Sequence, residues 1–251
     1  MKRLVLTLLV GLLFASLILT GCEKRNVNQK IRVATDATWP PFEMVDENTK
    51  EIVGFDIELL TAIAEKEGLD IEFINVSWDP LLAGIAECQY DVAISAIAIL
   101  EERKSSMLFS DPYYSTGQII TVQKNETSIN SQDNLSGKIV GTLLGTTAEF
   151  AVKEIDGVIL KTYDEIGLAF QDLLNGQIDA VVADYPLSLG YVQQNPEKIK
   201  TVGLMLNSED FGIVVCKSKP ELLEKINKGL AAVKSEGIID ELSEKWIPGS
   251  N

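Results

Sequence analysis

Five short stretches of the chain carry side chains suited to holding a small charged molecule. Asp36 precedes Thr38-Trp39-Pro40-Pro41-Phe42, an acid beside a rigid turn with two rings, and a ring face attracts a cation. Ser77-Trp78-Asp79-Pro80 supplies a second indole, which facing Trp39 would sandwich a planar or aliphatic group. Ser95-Ala96-Ile97-Ala98 leads into Glu101-Glu102-Arg103-Lys104, where a guanidinium offers a planar fork to a carboxylate. Leu143-Leu144-Gly145-Thr146-Thr147 runs from a strand through glycine into a helix, a junction whose N–H groups and dipole favour an anion. Asp184-Tyr185-Pro186 ends another strand, and its carboxylate is placed to receive an ammonium or to cap the next helix. Each stretch also has a plainer reading. Phe42 reads as core, the two tryptophans as packing, the 101–104 run as a solvated face and the threonines as ordinary N-caps.

Composition narrows the chemistry. The 251 residues include no histidine, which removes Ser-His-Asp and Cys-His nucleophiles, His-ligated zinc and histidine general bases. Catalysis would fall to carboxylates, Lys, Tyr or Cys, and neither a metal nor another cofactor is expected. With 22 basic and 37 acidic residues the formal charge is −15, so phosphate backbones are repelled and nucleic acid is not an expected partner. At 46% hydrophobic and 24% charged residues, the chain has the make-up of an ordinary soluble protein of one large or two compact domains.

The first residues are not part of the fold. Lys2 and Arg3 precede an apolar run of 16 residues, Leu4 to Leu19, too short for a spanning helix and shaped as an export signal over 1–21. Leu19-Thr20-Gly21-Cys22 resembles the lipobox of bacterial lipoproteins. That resemblance implies that the Cys22 thiol receives a diacylglyceryl group and becomes the new N-terminus, anchored by palmitate-type chains, of which two or more hold stably. Loss of residues 1–21 removes two basic residues and no acidic one, leaving 20 against 37, or −17. Residues 22–30, polar and charged, read as a tether. Cys88 and Cys216 remain. They read as two buried free thiols in apolar runs, although an oxidising exterior would permit a bridge.

The periodicity behind these stretches is that of alternating strands and helices. Strands are expected at 31–35, 71–76 and 91–100 and helices at 54–67 and 79–87, the first helix stopped by Gly68. A second series begins near Ile119, with strands at 138–143, 158–163 and 179–183 and helices at 146–155 and 166–174. A strand at 211–216 and two helical segments carrying Leu222, Ile226, Leu230, Val233, Ile238, Leu242 and Trp246 close the chain. The class is α/β, in two lobes with mostly parallel sheets. In open sheets of this kind ligands bind beyond the carboxyl ends of the strands, where the five stretches lie.

Six segments occur in order: Thr35-Asp36 with Trp39-Pro40-Pro41-Phe42, Gly54-Phe55-Asp56-Ile57-Glu58-Leu59, Asp91 through Ser95 to Glu102-Arg103, Phe109-Ser110-Asp111-Pro112-Tyr113-Tyr114, Gly145-Thr146-Thr147, and Asp179-Ala180 to Asp184. Together they resemble the polar-amino-acid class of extracytoplasmic solute-binding proteins of ABC importers, over residues 31–247. The resemblance implies two lobes, 31–116 with 209–251 and 117–208, joined by a two-stranded hinge with crossovers near 117–119 and 206–210. It implies a monomer without turnover, lipid-anchored outside the cell membrane, that closes on a polar amino acid, cationic ones included, and hands it to a permease. By position Arg103 would clamp the α-carboxylate, Thr147 would add its N–H and hydroxyl, and Asp184 would take the α-ammonium. Trp39 and Trp78 would flank the side chain, Asp36 would sit near its far end, and Leu143 would line the second lobe. Many relatives carry Ser or Thr where this chain has Ala98, which leaves Ser95, the backbone at Ala96 and Ala98, and Asp184 to receive the amine. The rival reading is a secreted cyclohexadienyl-dehydratase-like enzyme on the same fold, with Glu43 or Asp184 as its acid or base.

Overall fold

The computed structural model describes residues 30–247. The expected export signal, Cys22 and the expected tether up to residue 29 lie outside the described residues. The first sheet holds β1 (Ile31–Thr35), β5 (Ile71–Asn75), β6 (Val92–Ala93), β7 (Met107–Phe109) and β15 (Val214–Cys216), in the order β5-β1-β6-β15-β7. β5, β1 and β6 are parallel, and β15 enters antiparallel between β6 and β7. The second sheet holds β9 (Gln118–Gln123), β10 (Ile139–Leu143), β11 (Ile159–Tyr163), β12 (Ala180–Asp184) and β13 (Ile199–Val202), in the order β11-β10-β12-β9-β13. Between the sheets run β8 (Tyr114–Thr116) and β14 (Glu209–Phe211), paired antiparallel as a two-stranded connection. A small sheet of β2 (Thr38–Trp39), β3 (Glu43–Val45) and β4 (Ile52–Val53) follows β1.

The helices form where apolar residues recur at helical spacing. In Phe55–Glu67 the residues Phe55, Leu59, Leu60, Ile63 and Ala64 are buried, and Gly68, left-handed at φ 62°, closes the last turn by donating to the Ala64 carbonyl. Helix Ile166–Leu174 buries Ile166, Ala169, Phe170 and Leu173 on one stripe. The apolar core of the first lobe continues through Trp39 and Trp78 to Leu143 and Ile166 of the second, so the lobes meet as packed surfaces. A separate cluster around Ile120, Val122, Val140, Val152 and Val182 fills the other face of the second sheet.

Three expectations are corrected. The apolar stretch 91–100 is a strand only over β6. Ala96 turns back at φ 47°, its N–H held by the Asp56 carboxylate at 2.8 Å, and Ala98 keeps a single bridge to Phe211. The strand expected over 211–216 divides at Gly212, where a Cβ would stand 2.9 Å from the Ile99 side chain. Cys88 and Cys216 are not free thiols. They form a disulfide with Cα atoms 5.0 Å apart, because the end of helix Trp78–Ala86 delivers Cys88 to the margin of the strand that carries Cys216.

Candidate ligand-binding site

The ends of β1, β5, β6, β10 and β12 open onto one cavity between the lobes. All ten side chains singled out in the sequence line it: Asp36, Trp39, Trp78, Ser95, Ala96, Ala98, Arg103, Leu143, Thr147 and Asp184. Thr146, Ala148, Ile166, Val182 and Ala183 complete the wall. Glu43 does not reach the cavity. It is fully buried beneath Ser95, whose hydroxyl donates to Glu43 Oε1 at 2.8 Å.

Arg103 departs from the solvated face expected of 101–104, with 9% of its surface exposed while its neighbours Glu101, Glu102 and Lys104 stay in solvent. It donates to the carbonyl of Ala98 at 3.1 Å and, across the interlobe gap, to that of Gly145 at 3.3 Å. Its guanidinium carbon lies 5.6 Å from the centre of the Trp78 ring, within range of a cation–π attraction. Burial lowers its pKa, opposed by the nearby Glu102 and Glu209 carboxylates. The Trp78 indole also crosses between lobes, donating to the Gly145 carbonyl at 3.3 Å. Ala98 thus contributes through its backbone, as the seat of the guanidinium.

The opposite charge is gathered around Asp184. It is 6% exposed and receives the Trp39 indole N–H at 3.1 Å and the Gln118 amide at 2.8 Å. It does not cap the helix that follows. Burial first, and then the Glu209 carboxylate, raise its pKa well above the usual aspartate value. The Gln118 amide nitrogen also reaches the hydroxyl of Thr147 at 2.7 Å and Glu209 at 2.7 Å. Sequence reasoning missed Gln118 and Glu209. The only signals were a polar residue heading the apolar run of β9 and an acid inside the expected crossover 206–210.

Asp36, at the end of β1, accepts from the Thr38 hydroxyl at 2.8 Å, and its backbone N–H donates to Ser95 Oγ at 3.0 Å. Its carboxyl pKa is raised, chiefly by burial, with the Thr38 bond pulling the other way. The glycine junction is less open to an anion than its sequence suggests. The Glu149 carboxylate already takes the Gly145 N–H at 2.8 Å, and Thr146 caps the helix by accepting from the Glu149 N–H.

A buried guanidinium and a buried carboxylate facing one interlobe cavity are what a small zwitterion requires. The family model for bacterial extracellular solute-binding proteins, family 3, matches residues 31–249. The chain belongs to that family. This family 3 binding protein is 32% identical to the L-cystine-binding protein TcyJ of Escherichia coli (strain K12), over 86% of this chain and 81% of the relative. It resembles the solved structure of an ancestral arginine-binding protein bound to arginine at 45% identity and a TM-score of 0.82, covering 86% of this chain and 97% of the other. A third likeness, at 35% identity and TM-score 0.81 over 87% and 95% of the two chains, is the ancestral amino acid-binding protein AncCDT-1, a precursor of cyclohexadienyl dehydratase. The family 3 binding protein therefore has the two-lobed fold of extracytoplasmic amino-acid-binding proteins.

Proposed function

We propose that the protein captures a polar amino acid, cationic ones included, by closing its lobes about the β8–β14 connection, and passes it to an ABC permease. The lobes are 31–116 with 209–251, and 117–208. The chain acts outside the cell membrane as a monomer, exported by the signal over 1–21 and held by an acylated Cys22 through the tether 22–30. One observation carries the reading. The same cavity buries a guanidinium and a carboxylate, each with its own indole, Trp78 at Arg103 and Trp39 at Asp184. A ligand of one charge would offer an opposite charge to only one of these two buried groups. A zwitterion satisfies both.

In this reading Arg103 clamps the α-carboxylate with two of its N–H groups, and Thr147 adds its own N–H and hydroxyl. Asp184 receives the α-ammonium, assisted by Ser95 and the backbone at Ala96 and Ala98. Trp39 and Trp78 flank the ligand's side chain, Leu143 gives it an apolar wall, and Asp36 meets a basic group at its far end. A ligand touching both lobes stabilises only the closed form, so binding and closure are one equilibrium.

The test is a thermal-shift screen of residues 23–251, stripped of carried-over ligand by unfolding and oxidative refolding, against the twenty amino acids, cystine, ornithine and citrulline. A ligand at 100 times its Kd adds about 2.7 kcal/mol. One or a few amino acids are expected to give that shift, and Arg103→Ala to abolish it. A panel without any shift would overturn the reading.

A further inference from the structure

The cluster behind Asp184 is short of hydrogen-bond donors. The Gln118 amide has two hydrogens, yet Thr147 Oγ1, Asp184 Oδ1 and Glu209 Oε1 all stand within 2.8 Å of its nitrogen. Gln118 Oε1 and Glu209 Oε2 are buried with no donor among the described residues. The strands joining the lobes force this crowding. Gln118 opens β9, its backbone N–H bonded to Asn207 Oδ1 and its carbonyl to the Leu206 N–H, while Glu209 opens β14 opposite Thr116. A Cβ at Gly117 would lie 2.1 Å from the Asn207 carbonyl oxygen, so the two crossovers are pressed together. Two carboxylates brought into such contact hold one proton between them, or a cation.

We propose that Glu209 is a positioning residue for the ligand's amine, sharing a single proton with Asp184, and that binding of an amine expels this proton to solvent. The inference rests on the amino-acid reading above and extends it to a residue outside the cavity wall. The step balances simply. The ligand arrives as an ammonium, the shared carboxyl O–H ionises, its proton leaves to water, and the ammonium's N–H groups take up the acceptors of Asp184 and Thr147. Glu209, ionised and held by Gln118, then fixes the orientation of both. Among the groups facing Glu209, Arg103 from helix Glu101–Lys104 carries the opposing charge and favours its ionisation; Gln118 from β9 and Thr147 from the second lobe are neutral. Trp39, from the small sheet, donates to Asp184 and is neutral as well. Burial raises the pKa of both acids, the direction that favours a proton held between them.

The experiment is calorimetric titration of the ligand found in the screen into the full mature chain, in two buffers of different ionisation enthalpy, from about pH 5 to about pH 8. Wild type is expected to release close to one proton per ligand at the acid end, and its affinity to rise by up to about tenfold per pH unit before levelling off. Glu209→Gln is expected to release fewer protons than wild type and to show a shallower pH profile, since burial alone still raises the Asp184 pKa, and Asp184→Asn to lose the linkage with a larger loss of affinity. Binding by wild type without proton release, or the same release from Glu209→Gln, overturns the inference while leaving the amino-acid reading intact. Absence of binding by any amino acid overturns both. Should Glu209→Gln fail to fold, infrared difference spectra of wild type decide the matter, since the carbonyl stretch of a protonated carboxyl must vanish on binding, and its persistence refutes the proposal.

Discussion

Replacing Cys88 and Cys216 together by alanine removes a crosslink between residues 128 positions apart. A loop of that length restricts the unfolded chain by about 5 kcal/mol in the chain-entropy model. At about 2–4 °C per kcal/mol for a chain of this size, the melting temperature should fall by about 10–20 °C. Cys216 is fully buried in β15 and Cys88 is exposed just past a helix end, so reductant should reach the bridge and reproduce most of the loss in the unmutated protein. Thermal and urea unfolding followed by circular dichroism, on oxidised, reduced and doubly substituted protein, gives both numbers. The urea m-value should rise without the bridge, because the unfolded chain then exposes more surface. Neither cysteine lines the cavity, so ligand affinity well below the lowered melting temperature should be unchanged. Melting within about 3 °C of the oxidised protein with an unaltered m-value would refute the argument, since the constraint on the unfolded state would then be doing little.

Gly145→Ala places a Cβ 3.1 Å from Asp79 Oδ1 and 3.5 Å from the Trp78 indole nitrogen of the opposite lobe, at φ +72°. Closure should suffer by about 1 kcal/mol, a roughly fivefold rise in Kd by calorimetry; an unchanged Kd would show that the lobes close less tightly there. Burial raises the Glu43 pKa well above its ordinary value, and Asp56, buried beside it, is pushed up to about 6. The folded state therefore binds more protons than the unfolded one between the ordinary carboxylate range and these raised values, and stability declines as pH rises through that window. Glu43→Gln, which keeps an acceptor for Ser95, should lessen the fall in melting temperature between about pH 5 and about pH 8, and an identical fall would acquit the pair. Incubation with a cyclohexadienyl acid should leave its absorbance unchanged; loss of absorbance would revive the enzyme, with Asp184 as the remaining candidate acid, since Glu43 is walled off from the cavity.

What the sequence made legible depended on how far each signal reached along the chain. Helix Ile166–Leu174 and strand Ile31–Thr35 announce themselves by local periodicity and lie where that periodicity puts them. The residues facing the cavity were readable because loops after strands converge in an open sheet whatever their contents. The stretch 91–100 was misread because its break is imposed from outside. The Asp56 carboxylate, 40 residues away and also bonded to the Tyr113 hydroxyl, captures the Ala96 N–H and turns an apolar run into a loop. The disulfide was missed for a like reason, since two cysteines 128 residues apart leave no local trace of their meeting. Gln118 and Glu209 matter only through one another, and no spacing in the chain signals that they touch.

The place of β15 has a consequence for the order in which the chain can fold as it is made. β7, formed by residues 107–109, is flanked in its sheet by β15 alone, and β15 comes from residues 214–216. A chain emerging from its N-terminus can assemble β5, β1 and β6, and then the whole of the second sheet from 118–202, while β7 waits unpaired for a strand about a hundred residues downstream. The second lobe is thus a self-contained unit of synthesis and the first a clasp fastened last. A truncated chain ending before residue 214 would expose the edges of both β6 and β7, surfaces prone to pair with other chains.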